Sequence, residues 1–273
     1  MQKYSLEFNQ VYYTYPGSPQ PALDGLTIKI PWGKKCALIG QNGCGKTTLL
    51  LLANALYKPG AGKISWCGQP FIYNRHYLSQ IRQKIGLVFQ DPEQQLVGST
   101  VEEDISYGLC NLGLPTAEIK QRVEHILSEF QLTNLAEKPV HHLSLGQKKR
   151  VSIADVMVLK PQLLILDEPT AYLDIKHSRN LIKTLNKIHD NGNTLLMATH
   201  DLDLVYRWAD WVFVMDKGKL ILEGNPETVF NQREVLEELE LGVPLIYEML
   251  FSGLSADERI IIERLRQKIL NDM

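Results

Sequence analysis

The sequence predicts an α/β fold in which a core of buried strands and helices carries an antiparallel β subdomain and a helical subdomain. Three observations carry that prediction. Gly40-Gln41-Asn42-Gly43-Cys44-Gly45-Lys46-Thr47 lies between the apolar run Cys36-Ala37-Leu38-Ile39 and Thr48-Leu49-Leu50-Leu51-Leu52-Ala53, the order strand, loop, helix. Leu163-Leu164-Ile165-Leu166 is too continuously apolar for a half-exposed strand, as expected of a strand covered on both faces. Between about Thr100 and Leu159 the apolar spacing changes from strand-like to helical.

The eight-residue loop fits the phosphate-binding pattern G-x-x-x-x-G-K-[ST]. Its glycines let the backbone wrap a polyphosphate and turn N–H groups inward, and the helix that follows adds a positive dipole end. Lys46 is then expected to reach the outer phosphates and Thr47 to offer its hydroxyl to magnesium. Gly40, Asn42, Gly43, Cys44, Gly45, Lys46, Thr47 and Thr48 are the candidate nucleotide contacts on this segment. Because Cys44 sits inside the loop, a thiol reagent is expected to inhibit and ATP to protect.

The amino-terminal runs Leu6-Glu7-Phe8, Val11-Tyr12-Tyr13-Thr14-Tyr15 and Ala22–Ile30 alternate around Pro and Gly turns, which predicts antiparallel strands. One of the tyrosines could stack on a purine or simply pack across strands. Lys63-Ile64-Ser65-Trp66 reads as a further strand. Ile85-Gly86-Leu87-Val88-Phe89 reads as a buried one ending at Gln90, whose amide could ligate magnesium or orient a water, or merely leave the strand.

In the helical segment, Ile119, Val123, Ile126, Leu127 and Phe130 recur at three- and four-residue steps and make an amphipathic helix. Ser144 followed by Gln147 is a capping box, so a helix starts there with an exposed N-terminal end that can cap itself or meet a phosphate, Gly146 allowing close approach. The pair His141-His142 reads as a loop pair. The run Leu163–Leu166 then delivers Asp167-Glu168 to the strand end where open α/β sheets bind ligands. One carboxylate there can join a magnesium shell and the other can take a proton from water. Thr194–Thr199 is another strand, ending in His200, and Trp211–Met215 with Leu220–Glu223 reads as a hairpin. From about residue 231 the chain is a charged, amphipathic tail.

Composition narrows the function further. The 273 residues, 44% of them hydrophobic, can fill a sizeable core. With 29 Lys+Arg against 31 Asp+Glu, a net charge of −2 gives no footprint for nucleic acid or an anionic membrane surface. No apolar run approaches the roughly 20 residues of a membrane span, and Met1-Gln2-Lys3-Tyr4-Ser5 lacks a signal-peptide core. The chain is therefore expected in the cytoplasm or on its membrane face through a partner. Cys36, Cys44, Cys67 and Cys110 form no C-x-x-C pair, which argues against zinc and suits a reducing compartment.

Taken together, the phosphate loop, Gln90, Leu143-Ser144-Leu145-Gly146-Gln147, Asp167-Glu168, Ala171-Tyr172-Leu173-Asp174 and His200, in this order over roughly residues 5 to 230, resemble the nucleotide-binding subunits of ABC transporters. The resemblance implies a P-loop ATPase core with the two subdomains above, in residues 1–230 with the helical subdomain at about 91–160, followed by a helical tail at 231–273. It implies ATP and Mg2+, and a head-to-tail dimer in which the helix beginning at Ser144 covers the ATP on the other chain's phosphate loop. Tyr15 becomes the adenine-stacking aromatic, Gln90 the loop that senses a membrane partner, Glu168 the catalytic base and His200 the residue at the γ-phosphate. Asp167, Thr47 and Gln90 are then the metal side of the site, and Ser144, Gly146, Gln147 and Asp174 contact nucleotide. Leu145 departs from the family, which usually has glycine there.

Gln90–Leu96, Tyr12–Pro16 and the short tail further resemble the ATPases of energy-coupling-factor importers, nearest the cobalt and nickel type. That implies a membrane coupling protein and a substrate-binding membrane protein as partners. An ATPase of another ABC transporter and a soluble, non-transport ABC ATPase remain alternatives at this stage.

Overall fold

The computed structural model describes residues 3–251. Strand β1 (Tyr4–Tyr13) pairs antiparallel with β2 (Leu23–Pro31) on one side. On its other side it pairs with β4 (Ala61–Trp66), which continues to the short β5 (Gln69–Pro70). The two amino-terminal runs expected from sequence are thus one strand. Gln10 takes a positive φ of 49° and the register shifts between Phe8 and Val11, so a bulge interrupts the alternation without ending the pairing.

The second sheet is built from β3 (Lys35–Ile39), β6 (Ile85–Val88), β7 (Leu163–Asp167), β8 (Thr194–Ala198), β9 (Trp211–Asp216) and β10 (Lys219–Gly224). Their order across the sheet is β10-β9-β3-β8-β7-β6. Every neighbouring pair is parallel except the β9–β10 hairpin at the edge. All five residues of β7 and of β8 are buried, as their unbroken apolar runs require, whereas β10 alternates between exposed and half-buried positions.

Strand alternation sends the β7 side chains to two different cores. Leu163 and Ile165 face one that includes the four-stranded sheet and helices α1 (Lys46–Ala53) and α2 (Arg75–Lys84). Leu164 and Leu166 face a second, shared with helices α3 (Val101–Asn111), α4 (Thr116–Glu129), α5 (Leu145–Met157) and α6 (Ile175–Asp190). Each fully buried leucine contributes about 1.5–3 kcal/mol. A third core joins β3 and β9 to α7 (Leu202–Trp208), α8 (Pro226–Phe230), α9 (Arg233–Glu238) and α10 (Leu245–Phe251), where Tyr247 packs edge-on to Tyr206 at 5.6 Å. Of the expected helical tail, α9 and α10 are helical with a non-helical link at 239–244, and residues 252–273 lie outside the described residues.

Candidate functional site

The order β3-β8-β7-β6 assembles the candidate site. Their carboxyl ends lie side by side, about 4.8 Å apart per strand. They deliver in turn the phosphate loop, Thr199-His200, Asp167-Glu168 and Phe89-Gln90 to one edge, although the four segments are scattered over 160 residues of sequence. Gln90 is exposed just past β6.

Within the loop, Gly45 has φ 107° and its backbone passes so close to β2 that an added Cβ would sit 2.5 Å from the Ala22 carbonyl oxygen. Only glycine fits there. Lys46 is 8% exposed and its Nζ donates to the carbonyls of Gly40 at 2.7 Å and Gln41 at 3.0 Å. An ammonium held by neutral carbonyls gains from any anion that enters the loop. Cys44 is buried, and burial pushes its thiol up despite the opposing Lys46 charge. Burial and the raised thiol both weigh against fast attack by a thiol reagent on this loop.

Thr47 Oγ1 donates to Asp167 Oδ2 at 2.9 Å. Asp167 is 7% exposed, and its carboxyl is raised above the ordinary range first by burial, against the Thr47 hydrogen bond, with Glu168 adding and Lys46 and Lys149 subtracting. Hydroxyl, carboxylate and amide oxygens are a hard donor set suited to magnesium. Two oxygens 2.9 Å apart match adjacent corners of an octahedron with bonds of about 2.0–2.1 Å, so the residues fit that ion.

Glu168 holds a left-handed backbone, φ 43°, that a non-glycine residue adopts at a cost of order 1–3 kcal/mol. Its N–H donates to Ala198 O at 2.9 Å and its carbonyl accepts from Lys149 Nζ at 3.1 Å. Its side-chain Oε1 lies 3.0 Å from His200 Nδ1, while Oε2 is buried with no hydrogen-bond partner among the described residues. A buried carboxylate oxygen left open costs about 1–3 kcal/mol and is a ready acceptor for a water proton. His200 is mostly exposed.

Tyr15 follows β1, donating or accepting with Thr48 Oγ1 at 3.0 Å across its hydroxyl, and its ring stands edge-on to Tyr13 at 5.1 Å and Tyr57 at 5.9 Å. Its hydroxyl ties it to the helix that follows the phosphate loop, and the residue remains 36% exposed.

Ser144, Gly146, Gln147 and Asp174 form a separate group. The capping box exists as expected. Ser144 N–H donates to Gln147 Oε1 at 2.9 Å and Gln147 N–H to Ser144 Oγ at 3.4 Å. Asp174 caps α6, accepting from His177 N at 2.7 Å and lying 2.8 Å from His177 Nδ1, contacts that hold its carboxyl below the usual range. The His177 ring packs against Gly146, where an added Cβ would lie 2.9 Å from Cδ2. None of the hydrogen bonds of the described residues joins this group to the phosphate loop. His141 and His142 sit on an exposed single turn, Val140–His142, with rings 4.2 Å apart.

Two residues escaped the sequence reading. Lys149 stands inside the basic run Lys148-Lys149-Arg150, which reads as solvated, yet it is 4% exposed. The signal available was its helical register with the apolar Ile153 and Val156. His177 gave no motif at all, and its contacts with Asp174 and Gly146 reveal it.

A strand-loop-helix phosphate cradle beside a strained, half-unpaired Glu168, on a parallel sheet with an antiparallel sheet and a helical layer, defines a nucleotide-hydrolysing cassette. Residues 23–171 match the ABC transporter family, and the chain belongs to that family as an ATP-binding ATPase subunit coupled to transport. It is 65% identical over 99% of its length, and 98% of the relative's, to a protein of Nostoc sp. assigned as an ABC transporter ATP-binding protein. It is 40% identical to the energy-coupling factor transporter ATP-binding protein EcfA of Carboxydothermus hydrogenoformans, over 90% of this chain and 89% of that one. Among solved structures it resembles cbiO1 of Clostridium perfringens, part of the ABC transporter complex cbiONQ, with a TM-score of 0.77 and 41% identity over 91% of this chain and 99% of that one. Among the described residues no helix is long and apolar enough to cross a membrane.

Proposed function

We propose that the chain is the ATP-hydrolysing subunit of an energy-coupling-factor importer. It would work at the cytoplasmic face of the membrane and power uptake of cobalt, nickel or a vitamin through a coupling protein and a substrate-binding membrane protein. The likeness to EcfA and to cbiO1, over nine-tenths of the chain, supports the importer and its partners. The hydrolytic reading is carried by one observation, the buried Glu168 carboxylate with Oε2 open and Oε1 beside His200.

In this reading the amides of Asn42–Thr48 and Lys46 bind the polyphosphate of ATP, and Tyr15 stacks on adenine. Thr47, Asp167 and Gln90 hold magnesium, which when bound neutralises charge on the phosphates. Glu168 takes a proton from the water whose oxygen attacks the γ-phosphorus, while the bond to the ADP oxygen breaks and His200 steadies the departing phosphate. Ser144, Gly146, Gln147 and Asp174 complete the site on a second chain, so two ATP molecules favour a closed head-to-tail dimer and hydrolysis removes that bias. The ATP-binding domain on this view is residues 1–230, with the helical subdomain at about 91–160 and the tail beyond.

Purifying the tagged chain from its own membranes in mild detergent and identifying its companions by mass spectrometry tests the importer. A coupling protein with a small substrate-binding membrane protein is the expected result and names the cargo. An exporter's membrane subunits, ribosomes or DNA-repair proteins would overturn it and leave the ATPase standing.

A further inference from the structure

We propose that Lys149 is a positioning residue for hydrolysis: its buried ammonium fixes the backbone of Glu168 and so ties the helix that offers Ser144 and Gly146 to one nucleotide to the carboxylate that serves the other. The inference rests on the proposed base and head-to-tail dimer, and adds a residue that none of the motifs contains.

Lys149 lies in the second turn of α5, 4% exposed, with Nζ 3.1 Å from the Glu168 carbonyl oxygen. A buried ammonium is tolerated only where it is paired. Here Glu168, Asp91 and Asp167 supply the opposing charge, although burial still pulls the amine down to about 8. Glu168 has two backbone anchors, its N–H on Ala198 of β8 and its carbonyl on Lys149 of α5. Held from both sides, it keeps the left-handed φ of 43° that turns Oε1 toward His200. Strained conformations survive where the surroundings over-determine them, and removing one of two anchors lets the residue relax toward ordinary backbone.

The second half of the argument is the geometry of α5. Ser144 and Lys149 are separated by five residues on a single helix, roughly 7.5 Å at 1.5 Å per residue. A displacement of the helix N-terminus, such as docking on the other chain's phosphate, therefore moves the Lys149 anchor with it. One chain's contribution to the neighbouring site and the aim of its own base are thereby linked by one hydrogen bond.

The test uses the full-length chain as Lys149→Met and Lys149→Gln, with ATP affinity, KM and kcat measured separately. Lys149→Met is expected to lower kcat about a hundredfold while ATP affinity stays within about twofold, the signature of a displaced reacting group rather than a lost binding contact. Lys149→Gln carries an N–H donor on a stem one bond shorter, which falls short of the Glu168 carbonyl, so it should still lose kcat, though less than Lys149→Met. Combining Lys149→Met with Glu168→Gln should add almost nothing to the loss from Glu168→Gln alone, because both act through one carboxylate. Wild-type kcat in Lys149→Met, or losses that add in the double variant, would overturn the inference. If Lys149→Met does not fold, Lys149→Gln decides: a lowered kcat at unchanged ATP affinity supports it and a wild-type kcat overturns it. Should Glu168→Gln itself remain active, the proposed base is wrong; an inactive Glu168→Gln beside a fully active Lys149→Met sinks the Lys149 link alone.

Discussion

The edge of the parallel sheet and the starts of α5 and α6 carry the two groups of motif residues, and the chain holds them differently. At the sheet edge, Lys46, Asp167 and Glu168 are each less than a tenth exposed and are bonded across long sequence distances, Thr47 to Asp167 and Glu168 to Ala198 and Lys149. At the helix starts, Ser144 and Asp174 are exposed and bonded only within their own first turns. A buried, cross-braced group is preorganised, and removing a member leaves a neighbour unpaired. A self-capped helix start is complete in itself and pays little to exchange its cap for a phosphate oxygen. The difference is what the proposed head-to-tail site, divided between two chains, requires, with one half fixed and the other free to dock.

The largest effect should come from the fixed half. Glu168→Gln is expected to lower turnover by about 10²–10⁴-fold, the usual yield of a general base, while ATP still binds and a stable ATP-bound dimer accumulates on a sizing column. An active variant would break the comparison at its centre. Lys46→Ala should weaken ATP binding by roughly 10–100-fold, the loss of one charge-assisted contact of about 1.5–3 kcal/mol. Ser144→Ala sharpens the contrast. It should leave ATP affinity of the dilute single chain untouched, cost about 1 kcal/mol of stability through the lost cap, and reduce turnover only where dimers form. Equal losses of single-chain affinity in Lys46→Ala and Ser144→Ala would mean that both halves belong to one site within one chain.

Cysteine labelling separates accessibility from motif position. Cys110 is exposed, Cys44 buried with its thiol pushed up, so a maleimide should mark Cys110 first and leave ATP turnover largely intact. Rapid inactivation that Cys44→Ser abolishes would show that the loop opens far more often than its packing implies.

Much of the fixed half could be read from sequence because its signals are local. Gly40–Thr47 encodes its own backbone shape, and the unbroken apolar runs before Asp167 and His200 encode central parallel strands. The capping box at Ser144 was equally legible, since both partners lie within four residues. What was hidden depends on tertiary contacts. The bulge at Gln10 merges two runs into β1, and the helix Arg75–Lys84 fully buries only Ile81, with Tyr77 and Leu78 half-buried beside it, so its apolar stripe is short. Lys149 reads as part of a solvated basic run until α5 is docked, and the left-handed Glu168 is imposed by its two anchors rather than by its residue type.

The smallest expected effect lies between the two halves, where the segment after Gln90 is held by buried acids. Asp104 of α3, 2% exposed, accepts from the N–H groups of Val97 and Gly98, each at 2.7 Å, and its Oδ2 is buried without a hydrogen-bond partner among the described residues. Asp155 of α5 accepts from the Gln95 amide at 3.1 Å, and its carboxyl is pushed up to about 7, first by burial and then by Asp104. An unfolded aspartate titrates near about 3.9, so between that value and about 7 the folded chain binds the extra proton. Stability therefore falls as pH rises through this window and levels off above it. Asp104, also raised by burial, acts in the same direction. Asp155→Asn keeps an acceptor for Gln95 and cannot ionise, so its melting temperature relative to the parent chain should rise by roughly 5–10 °C between pH 5 and 8, since about two pH units at ~1.4 kcal/mol each meet roughly 2–4 °C per kcal/mol for a chain of this size. Parallel melting curves across that range would locate the titrating proton elsewhere. A pH-dependent gap with unchanged ATP affinity would place it in the strap between the fixed and the docking half.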